Sequence, residues 1–288
     1  MIKGYSDLSN LEKHEVYKFV NRNGDSEKSL DEIEDLFNNK VNGYGEGSLF
    51  CFIDNKVVGK VSIVLEVCKE LGAVYIYSHE ILDDFENKEL VVIDLTNTAI
   101  EISKKHNPTS IYLCAGNKEH LRILENLGYK EEYMSLSMTL DDKSLREKTL
   151  DLIKLSNENK EIYLNIINDS FSDMPHGIYH YITDIEKYIN KSDENNHFFM
   201  VVKDNNIIGF MNIEIEKDRG LFDIGLCKEY RGKGYGKSLL ETAIDFLNKK
   251  SVENIELIVI KKNQRAYNMY KNRGFKDKSI LGYWMEVK

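Results

Sequence analysis

A glycine-rich stretch in the second half of the chain limits most strongly what this sequence can fold into. It follows a strand-like apolar run over residues 221–227 and reads Arg231-Gly232-Lys233-Gly234-Tyr235-Gly236-Lys237-Ser238. Downstream, the apolar residues have helical spacing: Leu239, Leu240, Ala243, Ile244 and Leu247. A strand, a glycine-rich turn and a helix N-terminus in this order form an anion site, because the first helical N–H groups lack intrahelical acceptors and the helix dipole favours negative charge. A pyrophosphate group suits such a site.

Two common phosphate-binding motifs do not fit this stretch. A P-loop would require a glycine five positions before Gly236, where Arg231 stands. A dinucleotide-binding fingerprint, G-x-G-x-x-G, would require a glycine in place of Lys237. The pattern that does fit is Arg-x-x-Gly-x-Gly, beginning at Arg231.

A second pattern follows the first at a regular distance. An apolar strand around Leu257 and Val259 leads into a helix that carries Asn263, Ala266 and Tyr270 and ends at Gly274-Phe275. Gly274 stands where a helix ends in a left-handed residue, a conformation that glycine tolerates best. Together the two patterns resemble the GCN5-related N-acetyltransferase (GNAT) superfamily, in which backbone amides of the glycine turn hold the pyrophosphate of acyl-coenzyme A. The resemblance implies this fold for the second half of the chain.

The composition indicates a globular protein with two ordinary domains. The chain has 288 residues, of which 42% are apolar and 30% charged, and this balance allows sizeable cores. Its net charge of −9 argues against a nucleic-acid partner, which requires a basic face. An acidic protein more readily receives a cationic acceptor such as a primary amine.

The cysteines and the N-terminus indicate a reducing compartment. Cys51, Cys68, Cys114 and Cys227 are widely spaced, and each lies in or beside an apolar run, so we expect buried thiols rather than metal ligands or redox pairs. Residues 1–10 contain no apolar signal segment, and no run approaches a membrane span. We therefore expect a soluble, cytoplasmic protein with no membrane partner.

The two halves of the chain repeat one order of elements at an offset of 144–150 residues. Matching positions are Gly59 and Gly209 in two hairpins, Ala99 and Ala243, Asn117 and Asn263, and Gly128 and Gly274. A repeat of this length indicates a duplicated domain. We therefore predict an α/β fold with two tandem GNAT-like domains, each a mixed, mostly antiparallel twisted sheet flanked by helices. The expected boundaries are residues 1–140, a linker at 141–147, and residues 148–288.

The two copies differ at the glycine turn. Opposite Arg231, Gly234 and Gly236 the first copy has Asn87, Leu90 and Val92, and opposite Tyr270 it has Leu124. Side chains at these positions would obstruct the close approach of a phosphate to the backbone. We therefore expect a degenerate, non-catalytic first domain and a second domain that binds acetyl-CoA.

The resemblance assigns cofactor contacts to three parts of the second half. The strand end is expected to splay from its neighbour and to bind the pantetheine arm through the main chain of Gly225, Leu226 and Cys227. The turn would supply the amides of Gly232, Lys233, Gly234, Tyr235, Gly236 and Lys237, with added charge from Lys233 or Lys237. Arg231 contacts phosphate or braces the loop, and Ser238 donates its hydroxyl or caps the helix. Asn263 would contact pantetheine, Ala266 would leave room for it, and Tyr267 would line the same groove.

Tyr270 is the expected catalytic acid. It lies four residues after Ala266 and seven after Asn263, so the three share one helical face. In the family this tyrosine donates its proton to the departing thiolate. The alternative interpretation is a tyrosine that only packs in the core.

The general base has several candidates, since an amine acceptor must lose a proton before it attacks. Asp223 alternates with apolar residues on the strand before the turn, and Glu214 and Glu216 do so on the preceding strand. The loop after residue 171 carries further candidate contacts to the acceptor substrate: Asp173, His176 and Tyr179. We expect Asp223 to be the base or amine anchor and Glu214 to contact substrate.

The resemblance thus implies an N-acyltransferase that moves an acetyl group from acetyl-CoA to a small-molecule or peptide amine by direct attack in a ternary complex, without a metal. An alternative interpretation is a non-catalytic module of the same fold that senses acyl-CoA or binds a protein.

Overall fold

A computed structural model describes residues 1–24 and 27–288 of the chain, which divide into two compact units. Unit 1 comprises residues 1–134 and 282–288, and unit 2 comprises residues 135–281. The strands are β1 (Ile2–Gly4), β2 (Ser48–Ile53), β3 (Lys56–Val64), β4 (Ala73–Ile81), β5 (Ser110–Ala115), β6 (Tyr133–Leu140), β7 (Asp151–Lys154), β8 (Asn196–Lys203), β9 (Asn206–Glu216), β10 (Arg219–Leu226), β11 (Asn254–Ile260) and β12 (Lys276–Val287). The helices are α1 (Asn10–Val20), α2 (Leu30–Phe37), α3 (Cys68–Leu71), α4 (Lys88–Lys105), α5 (Lys118–Asn126), α6 (Lys160–Phe171), α7 (Ile182–Lys191), α8 (Tyr235–Lys249) and α9 (Gln264–Arg273).

The sheets of the two units have the same strand order and the same strand directions. In unit 1 the order is β1-β2-β3-β4-β5-β12, and in unit 2 it is β7-β8-β9-β10-β11-β6. Each sheet is antiparallel except for one parallel pair, β4 with β5 and β10 with β11. A parallel pair requires a crossover connection, which α4 and α8 provide. The predicted mixed, mostly antiparallel sheets are confirmed.

The last strand of each sheet comes from a distant part of the chain. Residues 135–140 of β6 pair with residues 255–260 of β11 in unit 2. Residues 283–287 of β12 pair with residues 111–115 of β5 in unit 1. The predicted boundaries are therefore wrong, because the chain enters unit 2 at residue 135 and returns to unit 1 at residue 282.

The segment predicted as a linker, residues 141–147, is instead bound within unit 2. A buried ion pair joins Glu241 of α8 to Arg273 of α9, with the two side chains only 2% and 5% exposed. The Arg273 guanidinium also donates to the carbonyl oxygens of Asp142 (3.0 Å) and Ser144 (2.9 Å), and Glu241 accepts from the amide of Arg146 at 3.3 Å. The segment thus satisfies a buried charge pair, which requires additional hydrogen bonds to be stable.

Both faces of each sheet are covered by helices. In unit 1, α1 and α2 cover one face through a cluster that contains Phe50 and Phe52, while α4 and α5 pack on the residues that alternate with them, such as Leu49 and Cys51. In unit 2, α6 and α7 pack on Phe198, Met200 and Phe210. The opposite face of unit 2 carries α8, whose apolar residues Leu239, Leu240, Ala243, Ile244 and Leu247 are all buried as the helical spacing predicts.

The two predicted hairpins are present and closely alike. The turn residues Asp54 and Asn55 have φ angles of 49° and 62°, and Asp204 and Asn205 have 50° and 62°. Consecutive positive φ values define the turn that best matches strand twist in a two-residue hairpin. Each hairpin also has a register shift at the same place, after Cys51 in one and after Val201 in the other.

The four cysteines are free thiols, of which Cys227 is half-buried and the other three are buried, as predicted. Within residues 1–24 and 27–288, no helix combines the length and apolar character that a membrane crossing requires.

We predict that Met285→Ala destabilises unit 1, because Met285 is fully buried in its core and its strand reaches that core from the far end of the chain. The expected loss is about 2–5 kcal/mol in the free energy of unfolding, measured by urea titration with the fluorescence of Trp284, the single tryptophan. The control is Glu286→Ala, which removes a half-buried neighbour on the same strand. A loss below about 1 kcal/mol for Met285→Ala would contradict the observed pairing.

Candidate functional site

Strands β10 and β11 separate partway along their length. They pair only over residues 219–221 and 254–256, although β10 continues to Leu226 and β11 to Ile260. The backbone of β10 beyond Leu221 therefore faces a gap on one side, while β9 remains paired with it up to Leu226. The splay predicted from the family resemblance is present.

The hydrogen bonds at the end of β10 leave one amide directed into this gap. The N–H of Cys227 donates to the carbonyl oxygen of Ile208 at 2.9 Å, on the β9 side. Because inward and outward groups alternate along an antiparallel pair, the N–H and C=O of Leu226 point away from β9. The Leu226 carbonyl accepts from Arg231 Nε at 3.1 Å. Of the predicted residues Gly225, Leu226 and Cys227, only Leu226 presents its N–H to the gap.

The glycine turn ends in a helix with no side-chain cap. Gly232 and Gly234 have φ angles of 78° and 89°, in the left-handed region that favours glycine. Gly234 is the N-cap of α8, and its position leaves the first amides of α8 without a capping oxygen. Within the described chain, the N–H groups of Gly232, Lys233, Gly234, Tyr235 and Gly236 donate to no backbone carbonyl. Five amides without backbone acceptors at the positive end of a helix dipole are an arrangement that favours an anion.

The side chains around the turn differ in their availability for phosphate. The ammonium of Lys233 lies 5.2 Å from the ring centroid of Tyr230. The Lys237 amide, also expected at the phosphates, donates to the Gly234 carbonyl at 3.3 Å. Ser238 lies in the first turn of α8, so the alternative that it caps the helix is wrong. Arg265, which the sequence patterns did not single out, places a guanidinium nitrogen 3.9 Å from where a Gly232 Cβ would lie.

Helix α9 presents the second motif to the same region. The Asn263 side chain caps α9 by accepting from the Ala266 amide at 3.2 Å, and its Nδ2 contacts Met174 Sδ at 3.5 Å. Added bulk at Gly236 would contact the sulfur of Met269 at 3.2 Å, so α9 lies beside the start of α8. The Tyr267 hydroxyl, predicted to line the groove, donates to Asp277 at 3.1 Å.

Tyr270 and Asp223 interact electrostatically inside unit 2. Tyr270 is 8% exposed, and burial followed by the negative charge of Asp223 raises the pKa of its phenol. The Asp223 side chain is exposed to solvent, although enough protein surrounds it to desolvate the carboxylate. Burial, and then the charge of Glu214, raise the pKa of its carboxyl. The phenol is therefore protonated at neutral pH, and the carboxylate has an increased proton affinity.

The two other carboxylates predicted as bases are engaged in surface ion pairs. Glu214 contacts Lys191 at 3.2 Å, and Glu216 contacts Arg219 at 2.7 Å. Asp223 forms no salt bridge within the described residues. The geometry therefore favours Asp223 over its rivals as a group that can accept a proton.

Two polar residues beside Asp223 were missed by the sequence patterns. Asn212 is directly opposite Asp223 on β9, so both side chains lie on one face of the sheet. The buried hydroxyl of Tyr163 on α6 donates to Asn212 Oδ1, which leaves the Asn212 Nδ2 group to donate elsewhere. The alternation of Asn212 with Ile213 would have placed it on the face of Asp223, but no local signal identifies Tyr163 as its partner.

The loop between α6 and α7, residues 172–181, contains the three predicted acceptor contacts and reaches the start of the glycine turn through one of them. Asp173 is bound to Arg231 rather than directed at a substrate, with both carboxylate oxygens 2.9 Å from one guanidinium nitrogen. His176 is half-buried with a φ of 57°, and burial and the charge of Lys262 lower its pKa to about 4. Tyr179 packs edge-on against Tyr181 at 5.2 Å between ring centroids.

Unit 1 has no equivalent glycine turn in the part of the chain that the structure describes. At the offset of Ala99 and Ala243, residues 88–90 correspond to residues 232–234, and they form the first turn of α4. That turn carries the carboxylate of Glu89, which opposes an anion. In unit 1 this position is therefore a helical turn that bears a carboxylate, whereas in unit 2 it is a glycine turn.

Two buried histidines occupy the remaining groove of unit 1. His120 follows the capping residue Asn117 as Ala266 follows Asn263, and the cap hydrogen bond is the same, from the His120 amide at 2.8 Å. Its ring lies 6.0 Å from the ring of His79, on the part of β4 beyond its pairing with β5. Thr96 contacts His79 Nε2 at 3.0 Å. The imidazoles fill space where unit 2 has the methyl group of Ala266.

We predict that this histidine pair makes the protein sensitive to acid. Burial and the proximity of His120 lower the pKa of His79 to about 3, and burial lowers that of His120. The folded state therefore disfavours protonation: the stabilisation is complete above the unfolded-state pKa of about 6.5 and is lost as the pH falls from there toward 3, by up to about 1.4 kcal/mol per pH unit for each histidine. Urea titrations between pH 7.5 and 4.5 should show a shallower pH dependence for His79→Leu than for the parent.

The control for this measurement is His106→Gln, which changes a partly exposed histidine of the same unit. Equal pH slopes for His79→Leu and the parent would contradict the assignment. Equal far-ultraviolet spectra at pH 7.5 establish that the variant is folded.

Sequence comparison finds similarity to known proteins within unit 2. Residues 160–275 match the model of the acetyltransferase (GNAT) family. An N-acetyltransferase of Methanocaldococcus jannaschii is 28% identical over 109 residues, which are 35% of this chain and 48% of that protein. The ribosomal protein bS18-alanine N-acetyltransferase of Escherichia coli K12 is 29% identical over 96 residues, 33% of this chain and 60% of that enzyme. The matches thus span about half the length of these curated relatives.

Solved structures share the fold over a larger part of the chain. A GCN5-related N-acetyltransferase from Sphaerobacter thermophilus aligns with 100% of this chain and 95% of its own, with a TM-score of 0.65 at 14% identity. A tandem GNAT protein from the clavulanic acid biosynthesis pathway aligns with 83% of this chain and 82% of its own, with a TM-score of 0.57 at 11% identity. At such identities the likeness establishes the fold alone.

Proposed function

Since the chain carries a GNAT-family acetyltransferase domain, we propose that unit 2 transfers an acetyl group from acetyl-CoA to an amine by direct attack in a ternary complex. The observation that supports this most directly is that an uncapped helix N-terminus follows directly after a strand that borders a gap in the sheet. The glycine turn leads from the end of β10 into the uncapped N-terminus of α8, and Asp223 lies on the part of β10 that borders the gap, within electrostatic reach of Tyr270. A phosphate-bearing thioester needs both parts: an anion site and an extended groove beside it.

The chain's residues fit acetyl-CoA through main-chain groups. The free amides from Gly232 to Gly236 would hold the pyrophosphate, with charge added by Lys233, Lys237 and Arg265. The diverging edge of β10 would pair with the pantetheine arm as an added strand does. When bound, acetyl-CoA supplies the activated acyl group.

Three groups would act on the reacting atoms. The Leu226 N–H points into the gap and would donate a hydrogen bond to the thioester carbonyl oxygen as charge develops there. Asp223 would accept a proton from the ammonium form of the acceptor, helped by its raised pKa. Tyr270 would donate its proton to the departing sulfur, whose proton affinity is also raised because it is desolvated in the same pocket.

The acceptor we favour is a peptide N-terminal amine, with a small-molecule amine as the alternative. Two curated relatives are named as N-acetyltransferases of an alanine in ribosomal protein bS18. The acidic character of the chain, with a net charge of −9, suits a cationic acceptor of either kind. Free thiols at all four cysteines suit a reducing, cytoplasmic setting.

Unit 1 is proposed to be non-catalytic. Helix α4 continues through the position of the glycine turn, and His79 and His120 fill the groove. The second candidate function is suggested by this unit, which has the fold without the glycine turn: the chain would sense acyl-CoA or bind a protein and catalyse no reaction. Acetyl-CoA-dependent release of free thiol in the presence of an alanine-initiated peptide separates the two functions.

We predict that Gly234→Val abolishes acetyl-CoA binding. Gly234 has a φ of 89° and open space where a Cβ would lie, so the substitution strains the turn and covers its amides without a clash elsewhere. The matched control is Gly128→Val in unit 1, whose glycine has a φ of 94° and equally open surroundings. Both variants should lose about 1–2 kcal/mol or more of stability, but isothermal calorimetry should show one acetyl-CoA site per chain in the control and none in Gly234→Val.

Equal binding by the two glycine variants would place acetyl-CoA elsewhere. The absence of binding by the parent chain would overturn the proposed transferase activity.

We also predict that Tyr270→Phe lowers turnover far more than it lowers acetyl-CoA affinity. Loss of a general acid reduces the rate by about 100-fold or more, while the phenyl ring keeps the packing against Phe275. The control is Tyr267→Phe on the same helix, whose hydroxyl is bound to Asp277. Steady-state thiol release, with acetyl-CoA affinity from calorimetry, distinguishes the two; unchanged turnover in Tyr270→Phe would assign the proton to another donor.

A further inference from the structure

Arg231 makes five hydrogen bonds to protein groups from three parts of unit 2. Its Nε donates to the Leu226 carbonyl at the end of β10. One terminal nitrogen donates to both carboxylate oxygens of Asp173, and the other donates to the carbonyl oxygens of Ser170 (2.9 Å) and Asp169 (3.5 Å) at the end of α6. With an exposed fraction of 18%, the side chain is largely enclosed.

These hydrogen bonds occupy the N–H groups with which Arg231 would otherwise bind a phosphate. Arginine has five N–H groups and no acceptor, and here every nitrogen of the guanidinium has a protein partner. The first residue of the Arg-x-x-Gly-x-Gly pattern is therefore occupied by α6, the acceptor loop (residues 172–181) and β10. The alternative in which it braces the loop fits the structure.

The acceptor loop is also held at two other positions. Asn168 exchanges two hydrogen bonds with the backbone of His180, at 2.8 and 2.9 Å. Met174 contacts Asn263, the cap of α9. Asp173, between these positions, is held by Arg231 through both carboxylate oxygens, so this ion pair anchors the first part of the loop together with the Met174 contact.

The same guanidinium acts on the strand end that presents the Leu226 amide. By holding the Leu226 carbonyl, Arg231 orients the end of β10 where β11 no longer supports it. The Lys228 amide, in the 3₁₀ turn Lys228–Tyr230, donates to Asp169 Oδ2 at 2.8 Å and fixes the same junction from the other side. The end of β10, the turn and the acceptor loop are thus held together around the guanidinium of Arg231.

We propose that Arg231 is a positioning residue that ties the acceptor loop to the cofactor end of β10 through Asp173, rather than a phosphate ligand. This inference rests on the proposed function only in naming the loop as part of the acceptor site. Through the contact between Arg231 and Asp173, acceptor binding depends on the first residue of the Arg-x-x-Gly-x-Gly motif.

Hydrogen–deuterium exchange and calorimetry test this proposal on the full chain. In Arg231→Gln, exchange of the peptide covering residues 172–181 should rise at least tenfold, and acetyl-CoA affinity should change less than threefold. Asp173→Asn should raise exchange in the same segment by a smaller factor, since the carbonyl contacts of Arg231 remain. The matched control is Arg219→Gln on β10, whose arginine pairs with the exposed Glu216 and should leave the loop unchanged.

A conservative replacement separates the two roles of the charge. Arg231→Lys keeps one positive charge but cannot reach Leu226, Ser170 and Asp173 together, so it should not restore the loop. A phosphate ligand would be restored by lysine. With an alanine-initiated peptide as acceptor, Arg231→Gln should raise the KM of the peptide at least tenfold and that of acetyl-CoA less than threefold.

Unchanged exchange of residues 172–181 in Arg231→Gln would overturn the proposal, as would a tenfold loss of acetyl-CoA affinity that lysine restores. If the parent chain fails to bind acetyl-CoA while exchange in the loop still rises, the transferase function fails and the tie stands. If Arg231→Gln does not fold, Asp173→Asn, altered at a half-exposed residue, carries the exchange test: unchanged exchange there overturns the proposal.

Discussion

The site in unit 2 depends on the loss of pairing between β10 and β11 after Leu221. Backbone groups buried without partners are costly, so a strand that loses its neighbour must find other partners for its N–H and C=O groups. Arg231 takes one of these groups, the Leu226 carbonyl. The others face the gap, and the glycine turn leads from the end of that strand into α8. The gap in the sheet and the uncapped N-terminus of α8 are therefore neighbouring features of one continuous segment of the chain.

In unit 1 the parallel strands β4 and β5 also stop pairing partway, after Ile76, and the surroundings of the separated strands differ from those in unit 2 at two positions. The turn is replaced by an additional turn of α4. The groove is filled by the imidazole rings of His79 and His120, whereas unit 2 has Ala266 at the position of His120. The caps Asn117 and Asn263 nevertheless make the same hydrogen bond, so the helix geometry has been retained while the space beside it has not. The acid sensitivity that we expect from His79 is a consequence of filling a groove with titratable groups.

Local patterns predicted most elements and the principal motif of this chain. The buried face of α8 and the end of α9 at the left-handed Gly274 follow from helical spacing and capping chemistry within a few residues. The strand exchange was not predictable in this way, because alternation in β6 and β12 shows which face is buried and carries no information on the partner strand. Local sequence likewise gives no sign that the segment predicted as a linker, residues 141–147, is bound by Arg273. The two carbonyl groups that Arg273 contacts lie 131 and 129 positions before it in the chain.

The positions of single side chains in the site were predictable only in part. Spacing placed Tyr270 on the face of Asn263 and Ala266, and the structure brings it close to Asp223. Spacing did not distinguish whether Arg231 meets phosphate or protein, since that depends on Asp173 and Ser170 on elements far away in sequence. Tyr163 and Arg265 were missed because their neighbours are set by the packing of α6 on the sheet and of α9 beside the turn.

The exchanged strand also affects the order in which the protein forms during synthesis. Domains generally fold from the N-terminus as the chain emerges from the ribosome. Here unit 1 begins first but receives Tyr283, Trp284 and Met285, which complete its core, only when residues 282–288 emerge. Unit 2 has all of its residues once position 281 has emerged. The half of the chain that is made second is thus the first that can reach its final structure, and unit 1 keeps an unpaired β5 edge until residues 282–288 have been made.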